Sequence, residues 1–279
     1  MNFMVKKQRL IIIISFGFYL MLGIFHFIQK NQPVSLNKKN GLITPTAIPR
    51  PASIHLPIIM YHYVEYVKDP GDTIRKSLDI VPSAFEAQLK VLSEGGYKTY
   101  FVKEIPDILL GKTKYDNQGV ILSFDDGYED FYTSVLPLLK KYNVKATLYI
   151  VLDFIGRKGF LNEKELSEIV SSGLVEIGSH TLNHRYLKEL PVDIQKQEIF
   201  QSKEELEKLF KVPVTTFAYP YGAYDDNTIK LVKEASYSAA VSVIKGEEQS
   251  NNNLFSLYRI RAGSATGNNM IKVLKGINK

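Results

Sequence analysis

From residue 58 onward, short apolar runs of strand length alternate with longer amphipathic stretches of helical period. The strand candidates are Ile58–Val64, Tyr97–Val102, Val120–Phe124, Ala146–Val151, Val175–Gly178, Thr215–Tyr219, Ala239–Val243 and Tyr258–Arg261. Between them lie helical patterns at Ser83–Glu94, Tyr128–Tyr142, Glu163–Ser172, Asp193–Phe210 and Asp226–Ala235, and Asn268–Ile277 closes the chain. Ser83 and Glu86 read as an S-x-x-E capping box for the first of these helices. Such regular alternation builds parallel βαβ units. Eight strands over ~220 residues predict an α/β fold, an irregular (β/α) barrel of about seven or eight parallel strands rather than an open sheet.

In a parallel barrel, chemistry collects where the strands end. Ile58–Tyr61 runs into His62, and Val120–Phe124 into Asp125-Asp126-Gly127. Val175–Gly178 leads to Ser179-His180-Thr181-Leu182-Asn183-His184, and Thr215–Tyr219 to Pro220-Tyr221-Gly222. Taken singly, each has a plain reading: an Asp-Gly turn, a surface histidine pair, a core histidine, a Pro-Gly turn. Together they place two carboxylates and three imidazoles on one face. His180 and His184, four residues apart, share a face if that turn is helical, as a metal pair requires. Adjacent Asp residues on an extended strand point to opposite sides, so Asp125 and Asp126 serve one site only if the chain turns there. Gly127 permits that turn.

The remaining histidines, His26 and His55, lie in the first 56 residues, which have a different character. The formal net charge is +6, yet seven of the 35 basic residues and none of the 29 acidic ones fall in the first fifty positions. The rest of the chain therefore holds 28 basic against 29 acidic side chains, a net of −1. This distribution removes the case for nucleic-acid binding. Leu10–Ile28 is an apolar run with basic flanks, long enough to span a bilayer as a helix and ending in bulky residues that suit cleavage poorly. The expected organisation is a cytoplasmic basic head over 1–9, a transmembrane signal anchor over 10–28, an extracellular tether over 29–56 and one domain over 57–279. That arrangement implies a single-pass protein of the cell membrane with its catalytic domain outside. The chain has no cysteine, so thiolate ligands and Cys nucleophiles are excluded, and any metal must be held by His and Asp.

These motifs resemble those of the polysaccharide deacetylase family, carbohydrate esterase family four, over roughly residues 57–265. The family's T-F-D-D-G segment is matched by Ser123-Phe124-Asp125-Asp126-Gly127, and its H-[ST]-x-x-H by His180-Thr181-Leu182-Asn183-His184. Its R-x-P-[YF]-G is matched by Ala218-Tyr219-Pro220-Tyr221-Gly222 except at the arginine. The resemblance implies hydrolysis of the N-acetyl groups of a polysaccharide of N-acetylglucosamine. It further implies Asp126, His180 and His184 as ligands of one divalent metal ion, zinc foremost, with cobalt, nickel or iron able to fill the same set. Asp125 would be the general base, and the Tyr221 backbone N–H would support the oxyanion.

Three family features have no counterpart here: the arginine replaced by Ala218, the late histidine that acts as general acid, and a D-x-x-D-W segment. Pro57-Ile58-Ile59-Met60-Tyr61-His62 is similar to an early P-[IV]-x-x-Y-H segment of exported poly-β-1,6-N-acetylglucosamine deacetylases. That likeness implies His62 as the general acid. By position alone, Arg261, or Arg259 two residues earlier, would replace the missing arginine as orienter of the base. Poly-β-1,6-N-acetylglucosamine and peptidoglycan are the expected substrates. The competing readings are a catalytically impaired glycan-binding relative and a glycosidase pairing Asp125 with Glu129 or Glu176.

Overall fold

The computed structural model describes residues 52–277, with a separate two-residue pairing of Leu36–Asn37 against Thr44–Pro45 in the unit that precedes them. The expected head, the span over 10–28 and most of the tether lie outside the described residues. Among the described residues no helix is long and apolar enough to cross a membrane.

Seven parallel strands form a nearly closed ring: β1 (Ile58–Tyr61), β3 (Gly119–Phe124), β4 (Ala146–Ile150), β5 (Val175–Ser179), β6 (Thr216–Ala218), β7 (Ala239–Lys245) and β8 (Leu257–Arg259). The ring closes where Met60 N donates to Ile260 O at 2.8 Å and Ile260 N to Ile58 O at 2.9 Å. The remaining strand, β2 (Lys98–Thr99), is only two residues long and pairs with the start of β3. The extended run expected over Tyr97–Val102 stops there. Its continuation, a 3₁₀ turn at Val102–Glu104 and a helix at Ile105–Leu109, packs with Ile58, Ile121 and Leu257 and closes the floor of the barrel.

Strand periodicity separates two apolar layers. Ile59, Tyr61, Leu122, Phe124, Leu148, Ile150 and Ile177 pack outward against the helices, whereas Ile58, Ile121, Tyr149, Ala218, Val241 and Leu257 fill the interior. Successive residues of one strand thus belong to different cores. This two-sided burial explains why the strands read as continuous apolar runs rather than alternating ones. The interior is narrow. A Cβ on Gly178 would lie 2.5 Å from the ring of Tyr149, its register partner on β4, so only glycine lets that ring lie across the barrel.

Glu176 is buried in the lower half, accepting from Thr147 Oγ1 at 2.8 Å, Thr216 Oγ1 at 2.7 Å and the Lys103 backbone N–H at 3.2 Å. Burial raises its pKa against these bonds. The carboxylate fastens the floor segment to the strands.

Local details depart from expectation in three places. The helix Pro82–Glu94 starts one residue early with Pro82 in its first turn, where a missing N–H costs nothing. Ser83 makes no cap, and Glu86 instead meets Lys141 Nζ at 2.6 Å and accepts from Tyr142 OH at 3.1 Å. The expected helix over Tyr128–Tyr142 is a π turn, Phe131–Val135, followed by an α-helix, Leu136–Tyr142, which has Pro137 in its first turn. Ser53–His55, assigned to the tether, pairs antiparallel with Glu248–Ser250, and Leu56 is fully buried. His55 therefore belongs to the folded body at the floor, bonded to Glu248 at 3.1 Å and to Leu274 O at 2.9 Å.

The clearance at Gly178 is testable. Gly178→Ala should destabilise the fold by about 1–3 kcal/mol through overpacking. Urea denaturation should then show partial recovery when Tyr149→Leu is added, because the clash lies with that ring.

Candidate active site

At the C-terminal end of β3 the Asp125 N–H still donates to Tyr61 O, at 3.1 Å, so Asp125 continues the ladder. The chain then turns abruptly: Asp126 has φ 74° and Gly127 φ 78°, and Gly127 N returns to Asp125 O at 3.0 Å. Two successive left-handed residues bring the Asp126 carboxylate toward the centre of the barrel mouth, beside Asp125.

The loop after β5 works similarly. His180 N pairs with Ile150 O at 2.8 Å, and the chain leaves the strand through Thr181 at φ 72° and His184 at φ 58°. This segment is not helical, so the four-residue histidine spacing acts through a loop rather than a helix face. Glu198, buried on the helix Val192–Phe210, holds the loop by accepting from the backbone N–H groups of Leu182 and Asn183 at 3.0 and 2.9 Å. Thr181 Oγ1 accepts from His184 N at 3.0 Å. Glu198 escaped sequence reasoning. Its signal was a polar residue on the buried stripe of an amphipathic helix, shared with Gln195 and Ser202.

Asp126, His180 and His184 offer ligand atoms that all lie within 4.8 Å of one another. Asp126 Oδ1 stands 3.2 Å from His184 Nε2 and 3.5 Å from His180 Nε2. Two ligands about 2.1 Å from a tetrahedral ion stand about 3.4 Å apart, so the spacing suits a zinc-sized centre. The protons point the same way. His180 Nδ1 lies 2.7 Å from Ala218 O, which can only accept, so Nδ1 carries the hydrogen. Burial lowers the His180 pKa to about 4, against the pull of Asp125 and Asp126, so the ring is neutral at pH 7. Its Nε2 lone pair then faces a carboxylate oxygen, an acceptor-against-acceptor arrangement that a cation between them would satisfy. A carbonyl on the second ring nitrogen is how metal-ligating histidines are commonly oriented, and His180 could serve so.

Beside this triad, Asp125 receives both terminal nitrogens of Arg259, NH1 on Oδ1 and NH2 on Oδ2, each at 2.8 Å. Arg259 is 2% exposed; its Nε donates to Ser242 O at 2.8 Å and its NH1 also to Ser123 Oγ at 3.3 Å. Burial would raise the Asp125 pKa. The Arg259 charge and hydrogen bonds, aided by His180 and His62, outweigh it and hold the carboxyl well below the usual range. His62 Nε2 lies 3.9 Å from Asp125 Oδ2. Burial lowers its pKa, while Asp125 and Asp126 oppose the shift. Tyr221 sits in a tight turn at φ 58°, followed by Gly222 at φ 67°, and its hydroxyl is 3.1 Å from His184 Nδ1.

The family profile described as polysaccharide deacetylase matches residues 112–240. A Bacillus subtilis protein named as a polysaccharide deacetylase, YxkH, is 33% identical over 217 residues, covering 76% of this chain and 75% of that one. The chain belongs to the polysaccharide deacetylase family. It is also similar to the poly-β-1,6-N-acetyl-D-glucosamine N-deacetylase of Staphylococcus aureus, 29% identical over 73% of this chain and 74% of that one. Among solved structures it is similar to the Streptococcus pyogenes deacetylase PplD in complex with acetate. There the TM-score is 0.72 at 30% identity, covering 80% of this chain and 99% of that one. The protein is accordingly a hydrolase of amide bonds.

Within this deacetylase the arginine on Asp125 is Arg259, and the expectation of Arg261 in that place is corrected. Arg259 and Asp125 both point into the barrel, whereas Arg261, two residues on, has left the ring and is exposed. The pairing of Asp125 with Glu129 or Glu176 is not formed. Glu129 is exposed, and Glu176 lies four residues before His180 on an extended strand, about 13 Å toward the floor. Arg259→Met should cost about 3–5 kcal/mol in urea denaturation, because it strands a buried carboxylate. Arg261→Met, on the surface, should stay within about 0.5 kcal/mol. Equal effects of the two substitutions would contradict the assignment.

Proposed function

We propose that this deacetylase removes acetyl groups from N-acetylglucosamine units of an extracellular polysaccharide, poly-β-1,6-N-acetylglucosamine before peptidoglycan. In this reading one divalent metal, zinc foremost, is held by Asp126, His180 and His184. The observation that carries it is the neutral His180 lone pair facing the Asp126 carboxylate at near-tetrahedral ligand spacing, next to an ionised Asp125. The name of the Staphylococcus aureus relative, together with the His62 segment, supports the β-1,6-linked polymer.

A divalent metal so held polarises an acetamide carbonyl and acidifies water. The chain's own groups do the rest. Asp125 takes the proton of the attacking water; Arg259 keeps it ionised and fixes its plane, and each carboxylate oxygen retains a further lone pair beyond the arginine bond. The Tyr221 backbone N–H, turned by two left-handed residues, is the donor toward the developing oxyanion. His62 delivers a proton to the departing amine. With Arg259 on Asp125, the lost arginine of the third motif no longer argues for a binding-only relative.

The apolar run over 10–28 carries the domain at the outer face of the membrane in this reading. In a bacterial host, the full-length protein should sediment with membranes, and protease added to intact cells should reach its domain.

Full-length protein should release acetate from β-1,6-linked N-acetylglucosamine oligomers faster than from peptidoglycan. It should lose that activity to a chelator and regain it with zinc, cobalt or nickel. Asp126→Ala should abolish turnover and metal retention together. His62→Ala should lower kcat by about 10²–10⁴-fold with metal content intact. Chelator-insensitive turnover by Asp126→Ala would falsify the metal assignment. Oligomer binding without acetate release would favour the glycan-binding reading.

A further inference from the structure

Two of the largest exposed apolar side chains among the described residues stand side by side at the barrel mouth: Tyr221, 64% exposed, and Tyr186, 44% exposed. Their ring centroids are 6.1 Å apart with planes tilted by 30°, so they form one continuous, slightly folded surface. Neither ring hangs loose. The Tyr221 hydroxyl is tied to His184 Nδ1 at 3.1 Å, and its ring meets the His184 ring edge-on at 4.6 Å. Tyr186 is followed by the fully buried Leu187, which opens the 3₁₀ turn Leu187–Glu189 and roots the tyrosine in the core. On the far side of His184 lies Phe154, with ring centroids 6.2 Å apart; Phe160 follows 4.7 Å on, then Tyr128 at 5.0 Å. These three rings are half-buried, so the exposed aromatic surface is confined to the Tyr186–Tyr221 side.

Burying a large aromatic face is favourable, so leaving two of them bare beside a reacting centre points to an occupant. Tyrosine suits such a surface. It has two side-chain torsions to fix, an apolar face and a hydroxyl at the rim, so it binds rigid amphipathic partners at small entropic cost. A pyranose ring is that kind of partner: one face of C–H groups, with hydroxyls round its edge.

We propose that Tyr186 and Tyr221 form a stacking ledge for a pyranose unit adjacent to the one being deacetylated. The ledge sets the direction in which the polymer crosses the metal site and makes the enzyme prefer chains to single sugars. This rests on the deacetylase reading of the same site. Tyr221 is anchored to a metal-ligand histidine, and Tyr186 is the member of the pair that touches none of the reacting groups. Tyr186 is therefore the position where stacking can be tested apart from the chemistry.

Two measurements on the full-length, zinc-loaded protein decide it. The first compares kcat/KM on a β-1,6-linked N-acetylglucosamine hexamer with that on methyl N-acetylglucosaminide. Tyr186→Ala should lower the hexamer-to-monomer ratio by about threefold to tenfold, through KM and with unchanged zinc content. Tyr186→Phe should keep the wild-type ratio, because the face and not the hydroxyl makes the contact. An unchanged ratio in Tyr186→Ala overturns the proposal.

The second exploits the absence of tryptophan from the chain. Tyr186→Trp places a single indole on the ledge, and its emission should shift saturably as the hexamer is titrated. This readout does not depend on hydrolysis. If wild-type protein releases no acetate yet the indole responds to the hexamer, the deacetylase reading fails and the ledge stands. An indole silent to a hexamer that the enzyme hydrolyses, or one answering only to phospholipid vesicles, overturns the ledge.

Discussion

A guanidinium inside a barrel of apolar strands is tolerable only when its charge is answered and each nitrogen has a partner, and Arg259, paired with Asp125, meets that condition. Two parallel hydrogen bonds neutralise the charges, while Ser242 O takes the Nε donor and Ser123 Oγ a second donor of NH1. Ser123 Oγ in turn donates to Ile59 O, which ties the pair to β1. The same interaction governs the chemistry. A buried carboxyl left alone would protonate, and a protonated Asp125 could not accept a proton. One ion pair thus sustains both the packing of the upper barrel and the ionisation of Asp125, the base of the proposed reaction, beside the Asp126–His180–His184 cluster.

Around it the backbone is bent where chemistry needs it. Among the described residues seven non-glycine residues have positive φ, and four of them, Asp126, Thr181, His184 and Tyr221, lie in the three motifs that surround the site. For a β-branched residue such as Thr181 this conformation is costly, on the order of 1–3 kcal/mol. The expense is offset by bonds that only the bent loop can make: Glu198 on Leu182 and Asn183, and Thr181 Oγ1 on His184 N. Rigid strands deliver the residues to the mouth, and short left-handed turns aim them. Gly222 carries the tightest of these constraints, since a Cβ there would lie 2.3 Å from Val243 Cγ2.

Much of this was legible in the sequence. The period of the apolar runs announced the parallel strands, and all eight expected positions contain strand residues. The histidines and aspartates at strand ends announced the site, because an ionisable side chain directly after a buried strand has few other uses. What escaped had non-local causes. The second strand shortened because its continuation is needed to close the barrel floor. The tether's last residues joined the body by pairing with Glu248–Ser250, a partner 193 positions away between His55 and Glu248. The structural roles of Glu198 and Glu176 were missed. The only signal of Glu198 was its place on a buried helical stripe. Glu176 was weighed only as a catalytic carboxylate, because a strand position alone does not show what a side chain bonds.

The sequence by itself determined the donor set: no cysteine, two adjacent aspartates, two histidines four residues apart, and a further histidine after the first strand. Those are matters of local order, and covalent neighbours cannot be rearranged by folding. Only the tertiary structure decided which arginine meets the base. Arg259 and Asp125 are 134 residues apart. Their meeting depends on the register of β8 against β7 and the closure of β8 on β1. It also depends on the inward face that residue 259 occupies and on the strand ending there, so that 261 has left the ring for solvent. A one-residue shift in register would turn residue 259 to the outer face, away from Asp125, without changing a letter of either motif, because side chains on a strand alternate faces with a period of two.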